Sequence, residues 1–292
     1  VKLALHARRW GGPDGGHDGM SVAVAFLAWT LCELGHEVRA FVDANPPGWS
    51  HPRLTWCRPP LDFMDELTIT TVSGTWHRTA DAAEKVGASE RLLYWHHHGA
   101  ELPPAHGCRR MAPTEIAGAD LVLPPSSWAG EAAGQVEGFR DAILVPGAGP
   151  AKGGHVALDV AHSLPDLDWL VLSGRSSAVD RAAWRVLGRA EVIDGIVEPE
   201  QFLSRARAVL APTRAETYGL VLVEAAVRGI PVVCTDLPAT RAALGESASF
   251  VRVEAPAWAW SFALNAALEQ PLPRLNLPPY RETVAHALEA LS

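Results

Sequence analysis

The chain has 292 residues, of which 48% are hydrophobic and 20% charged, and a net charge of −8. That length points to about two domains, and the apolar content suits a globular protein with two cores. The acidic balance is spread over both halves, which excludes a general nucleic-acid coat.

Lys2–Ala7 reads as a short strand, followed by a glycine-rich loop at Trp10–Gly19 and a helix over Met20–Leu34 that Gly35 ends. Glu37–Val42 is a second strand. Strand, glycine loop, helix and strand open a doubly wound sheet. Residues 46–60, with their prolines, are expected to be loop. Leu67–Val72 and Leu92–Trp95 are further strands, with a helix at Thr79–Val86 between them. Residues 100–115 are expected to be loop, Leu121–Leu123 a strand and Ser126–Gln135 a short helix.

The second half repeats this rhythm. Ala142–Val145 is a strand, Gly147–Gly154 a second glycine-rich loop, and His155–His162 a helix. Strands follow at Trp169–Leu172, Glu191–Ile193, Ala208–Ala211 and Pro231–Cys234. Helices fall at Pro199–Ala206, within Thr217–Arg228, and at Trp258–Leu268 and Tyr280–Leu291. The expected fold class is α/β, with two doubly wound Rossmann-like domains: residues 1–140, residues 141–275, and a last helical segment, 276–292. Ligands in such sheets sit outside the carboxyl ends of the strands, where both glycine loops fall. An inter-domain cleft is the expected place for a small-molecule site.

The most informative segment is Ala208–Ala243. A strand ends at Pro212-Thr213, Glu216 lies in the turn, a helix starts near Tyr218-Gly219 and carries Glu224, and Gly229 stops it. Backbone N–H groups and the positive end of the helix dipole face the loop of Glu216, Thr217, Tyr218, Gly219 and Leu220, and such a terminus binds phosphate. Gly219 lets the backbone approach closely. A carboxylate at Glu224 can accept two hydrogen bonds from a vicinal diol such as a ribose, and Glu216 is placed to meet sugar hydroxyls.

These residues resemble the donor-site signature of glycosyltransferase family 4, the group 1 glycosyltransferases, as Glu216-x7-Glu224 with its flanking Pro-Thr, Tyr-Gly, Glu-Ala and Gly-x-Pro-Val-Val. Gly147–Gly174 is similar to the family's Lys-Gly loop, helix and glycine-ended strand, which makes Lys152, one of only three lysines, the cation for a donor diphosphate. In a departure from the family, Pro146–Pro150 holds no arginine ahead of that lysine, and Arg175 is the candidate replacement. Gly16 and Gly19 match the opening glycine loop, and His98, with His97 in reserve, matches a histidine beside the transferred sugar.

The resemblance implies the GT-B fold and a retaining, metal-independent transfer from a nucleotide-diphosphate sugar, with no cofactor and an acceptor that the sequence leaves open. Charge building on the leaving diphosphate would be met by Lys152 and the helix start, as electrostatic stabilisation requires. Two other readings stay open: a sugar-nucleotide epimerase on the same architecture, and a degenerate binder of nucleotide or glycan.

Other motifs carry less. Adjacent histidines on a strand point to opposite faces, so His96–His98 is not expected to bind metal with His106 and Cys108. Asp166-Leu167-Asp168 spells a DxD by chance, and no GxGxxG fingerprint is present. Cys32, Cys57, Cys108 and Cys234 form no CxxC pair, which leaves reduced thiols. Most tryptophans of the first half are expected to pack, with Trp10 offering a platform to a sugar or planar acceptor. No apolar run reaches the roughly 18 residues of a membrane span, and the N-terminal residues read as a strand rather than a leader, so the expected location is cytoplasmic.

Overall fold

Among the described residues every strand pairs in parallel. The computed structural model describes residues 2–6, 19–41, 48–57, 67–72, 90–95, 109–113, 119–127, 140–174, 176–195, 197–270 and 272–290. The chain divides into two units, Val1–Glu131 together with Pro278–Ser292, and Ala132–Leu277.

The first unit carries β1 (Lys2–His6), α1 (Gly19–Glu33), β2 (Glu37–Phe41), β3 (Leu54–Cys57), β4 (Leu67–Val72), β5 (Glu90–Trp95), β6 (Arg109–Ala112) and β7 (Leu121–Val122). Their sheet order is β3-β2-β1-β4-β5-β6-β7. In α1 the apolar residues run almost all the way round, and Val24–Ala28, Leu31 and Cys32 are buried. A helix apolar on every side needs cover on two faces. The sheet supplies one through Leu5, Val38 and Ala40. The last helix, Tyr280–Glu289, supplies the other through Tyr280, Val284 and Ala287, with the Tyr280 ring stacked on Phe26 at 5.4 Å between centroids. At α1's outer edge Trp29, Trp49 and Trp56 form a chain of ring contacts, Trp49 and Trp56 meeting edge-on at 5.0 Å. Trp49 and Trp56 therefore pack, as expected.

Two stretches expected to be loop hold strands instead. β3 is four residues between prolines and pairs in register with β2, Val38 opposite Leu54. β6 opens on two arginines, which hides a strand whose Met111 and Ala112 are buried. The helices expected at Thr79–Val86 and over most of Ser126–Gln135 lie outside the described residues.

The second unit begins with β8 (Ala142–Val145), a 3-10 turn at Pro150–Lys152, α2 (Gly154–Ser163), β9 (Asp168–Leu172), α3 (Ala178–Val186) and β10 (Ala190–Ile193). It continues with α4 (Pro199–Leu203), β11 (Ala206–Ala211), α5 (Leu220–Val227), β12 (Val232–Thr235), α6 (Pro238–Leu244), β13 (Ala248–Val251) and α7 (Ala257–Glu269); the last helix of the chain, Tyr280–Glu289, is α8. The sheet order is β10-β9-β8-β11-β12-β13, the doubly wound order in which the first and fourth strands of the unit lie side by side.

Alternation along the strands splits the core in two. Ala142, Leu144, Val209, Ala211, Val232 and Cys234 face one layer with α4, α5 and α6. Ile143, Val145, Ala208, Leu210 and Val233 face the other with α2, α3 and α7, where Trp169, Trp184 and Trp260 are fully buried. Such strands, covered on both faces, read as continuous apolar runs.

Here too some elements depart from expectation. The helix expected over Pro199–Ala206 stops at Leu203, because Ala206 is already a buried β11 residue paired with Ala142. Three elements had no clear sequence signal: α3, of which only Trp184 is buried; α6, seven residues opened by Pro238; and β13, four residues after Gly245.

Candidate active site

In a doubly wound sheet the crevice opens where the strand order reverses. In the second unit that point lies between β8 and β11. The loops that leave their carboxyl ends, residues 146–153 and 212–219, are the two glycine-marked segments singled out in the sequence.

These loops are fastened together by groups that tolerate no extra atoms. A Cβ on Gly153 would collide with the Pro212 carbonyl oxygen, and one on Gly154 with the Ala148 carbonyl oxygen. Gly153 also has φ +69°, a conformation that costs an L-residue energy. The Arg214 N–H donates to the Ala151 carbonyl at 3.2 Å, and the Thr213 hydroxyl donates to the Ala215 carbonyl at 2.9 Å. Gly147 lies under the Lys152 stem, where an added Cβ would come within 2.7 Å of Lys152 Cβ.

The result is a direct contact between the two sequence-predicted charged residues. Lys152 Nζ donates to Glu216 Oε2 at 2.7 Å. The Glu216 side chain is 14% exposed and that of Lys152 43%. The other carboxylate oxygen, Oε1, accepts from the Thr217 N–H at 3.1 Å. Glu216 Cγ lies against Gly219, which takes φ +79° and caps α5 from its N-terminal side. No side chain caps α5, so its first N–H groups, from Leu220 onward, stand at the positive end of the helix dipole.

The remaining predicted residues fall as follows. Tyr218 is buried in the core with Leu222 and Val223, and burial pushes its hydroxyl up to about 12. Glu224, on α5, is 3% exposed. Gly19 is the first residue of α1 in the first unit. Gly16, His96–His98, Trp10 and Arg175 lie outside the described residues. Asp166 and Asp168 are both exposed, at the start of β9. Among the described residues no three His, Cys, Asp or Glu side chains gather as a metal site. Of the thiols, Cys32 and Cys234 are buried, and burial pushes both up to about 12.

One basic group in the second of these loops, residues 212–219, escaped the sequence reading. Arg214 is exposed, and its Nη2 stands 3.5 Å from Nε2 of His155, at the start of α2. It lies in the donor-site segment itself, two residues before Glu216, but a lone arginine in a loop has no periodicity to mark it.

Residues 140–270 match the family model described as "Glycosyl transferases group 1". The second unit therefore carries the sequence pattern of the group 1 glycosyl transferases, and the protein is a glycosyltransferase that takes its sugar from a nucleotide-sugar donor. Members of the family transfer with retention and without a metal ion.

Solved structures match the whole chain in fold. Sucrose-phosphate synthase from Thermosynechococcus elongatus superposes with a TM-score of 0.70 at 17% identity, over 99% of this chain and 96% of its own. AviGT4, a glycosyltransferase involved in avilamycin A biosynthesis, gives 0.68 at 19% identity, over 98% and 93%. WaaG, a glycosyltransferase involved in lipopolysaccharide biosynthesis, gives 0.63 at 16%, over 99% and 94%. These likenesses establish a GT-B fold. No curated protein matches the chain significantly in sequence. Among the described residues no helix is long and apolar enough to cross a membrane.

Proposed function

We propose that Lys152, Glu216 and the start of α5 hold a nucleoside diphosphate sugar and that Lys152 stabilises the departing nucleoside diphosphate. The observation that carries this reading is the 2.7 Å contact of Lys152 with Glu216 at the switch point of the sheet, beside a helix start that no side chain caps. A cation and free N–H groups suit the phosphates. A carboxylate within reach of the same cation suits the hydroxyls of the sugar attached to them. Glu224, further along α5, takes the ribose.

The bond from the anomeric carbon to the phosphate oxygen breaks, and the acceptor oxygen bonds to that carbon on the same face. The acceptor proton passes to the leaving phosphate oxygen. Negative charge grows on the phosphate as the bond lengthens, so a cation fixed beside it binds the transition state more strongly than the ground state. No protein nucleophile is needed.

The test is a thermal-shift and titration screen of UDP-, GDP-, ADP- and TDP-glucose, followed by donor turnover in EDTA. One nucleotide should stabilise the protein, by about 2.7 kcal/mol at 100 times its dissociation constant. Turnover should release the free nucleoside diphosphate and persist in chelator. If none of these donors or their nucleoside diphosphates binds, the reading fails. Conversion of the donor to a second sugar nucleotide, with no nucleoside diphosphate released, would make the protein an epimerase.

A further inference from the structure

The lysine placed on the diphosphate and the glutamate placed on the sugar are not waiting side by side. They are bonded to each other, Nζ to Oε2 at 2.7 Å, and Glu216 is the more buried partner. Its second oxygen is engaged by the Thr217 N–H. The carboxylate therefore already has both oxygens satisfied, and any anion that recruits Lys152 must draw on a cation that is already neutralised.

We infer that the Lys152–Glu216 pair makes this site discriminate between the intact donor and the spent nucleoside diphosphate, favouring the donor; this rests on the proposed diphosphate role of Lys152.

Two ligands compete for the same lysine under different conditions. A bare nucleoside diphosphate takes Lys152 away from Glu216 and offers nothing in return. The carboxylate, 14% exposed, loses its cation and faces a terminal phosphate of like charge. An unpaired, partly buried carboxylate beside another anion is costly. An intact donor carries one less charge on that phosphate and brings hydroxyls, which donate to Glu216 in place of the lysine. The same carboxylate is then a binding partner for the donor and a source of repulsion for the product. Once the sugar has been transferred, Lys152 returns to Glu216 and the product leaves. A neutral isostere removes the repulsion and frees the lysine without removing hydrogen-bonding capacity.

The experiment uses the full chain and the nucleotide that the donor screen identifies. Calorimetric titrations with the nucleoside, the nucleoside diphosphate and the matching sugar donor compare the natural protein with Glu216→Gln. The variant should bind the nucleoside diphosphate more tightly, by roughly fivefold, the scale of one partly exposed ion pair. Its preference for donor over spent nucleotide should shrink by at least that factor, and its nucleoside affinity should stay as it was. Inorganic pyrophosphate, which needs no base pocket, should shift in the same direction.

Glu216→Asp covers the case in which the glutamine variant does not fold. It keeps the charge but shortens the reach to Lys152, so the nucleoside diphosphate should again bind more tightly than in the natural protein, by a smaller factor. Unchanged or weaker nucleoside diphosphate binding in a folded variant, with the donor preference intact, overturns the inference while leaving the donor site standing. Failure of every nucleotide to bind the natural protein removes the donor site itself.

Discussion

The two units share a wiring diagram and differ in what is attached to it. Counting strands within each unit, both sheets run third, second, first, fourth, fifth, sixth, and the first unit adds a seventh. Among the described residues both are parallel, and in sequence both follow their first strand with a glycine-rich segment. Yet the family model covers residues 140–270 alone. Within that stretch lie the loops at the carboxyl ends of β8 and β11, where Lys152 and Glu216 meet. Strand order makes a place for a ligand, and the side chains at that place decide the chemistry.

The units also close their cores differently. The second is built from one continuous stretch, Ala132–Leu277, and packs helices on both faces of its sheet. The first borrows α8 from beyond the second, and through it completes the cover over α1.

A chain cut after Leu277 tests that contrast most severely. Without Tyr280, Val284 and Ala287, α1 exposes an apolar face, and the first unit should lose its cooperative unfolding transition outright. Hydrogen exchange should show β1 and β2 unprotected while β8, β11 and β12 keep their protection. Equal loss in both sheets would mean that the units are not separate in stability.

The next effect belongs to the second unit. Trp260, on α7, is fully buried, and Trp260→Ala should cost about 3–5 kcal/mol. Chemical denaturation followed by probes in each unit should show only the second transition move.

Chemistry should separate from stability at the switch point. Lys152→Ala should lower turnover about 100-fold, the effect of losing one stabiliser of developing charge, with neither core disturbed. Glu224→Ala should instead raise the donor Michaelis constant, by about tenfold on the scale of hydrogen bonds to a charged group, and weaken nucleoside binding. Steady-state kinetics with nucleoside titration distinguishes the two; normal turnover in Lys152→Ala would take the phosphates away from this loop.

The smallest effect sharpens the account of local signals. Ser177 caps α3, with its Oγ accepting from the Asp180 N–H at 3.1 Å and the Asp180 carboxylate accepting from the Ser177 N–H at 3.0 Å. The Ser177 hydroxyl, donating to the same carboxylate at 2.8 Å, and then the Ser177 N–H hold the Asp180 carboxyl below the usual carboxylate range. Ser177→Ala should cost about 1 kcal/mol, read as a small shift of the second transition.

The sequence discloses what is local and periodic. β8, β9, β11 and β12 are apolar runs, and Gly219 and the two glutamates lie within nine residues of each other, so the segment can be recognised as a unit. The Lys152–Glu216 bond joins residues 64 apart, and nothing in the order of residues announces that they touch. The same holds for Gly153 and Gly154, whose need for bare backbone comes from carbonyls on other turns. β3, β6 and β13 went unread because four residues at a sheet's flank, bordered by proline, arginine or glycine, hold too little pattern to register.

α8 also sets an order of events while the chain is being made. Domains ordinarily fold as they emerge, N-terminal first, at about 5–20 residues per second. Here the residues made first cannot finish their core until Tyr280–Ala287 arrive, and the whole of Ala132–Leu277 is synthesised in between. At those rates the N-terminal sheet waits on the ribosome for on the order of ten seconds with α1 uncovered, while the unit made second completes itself ahead of it.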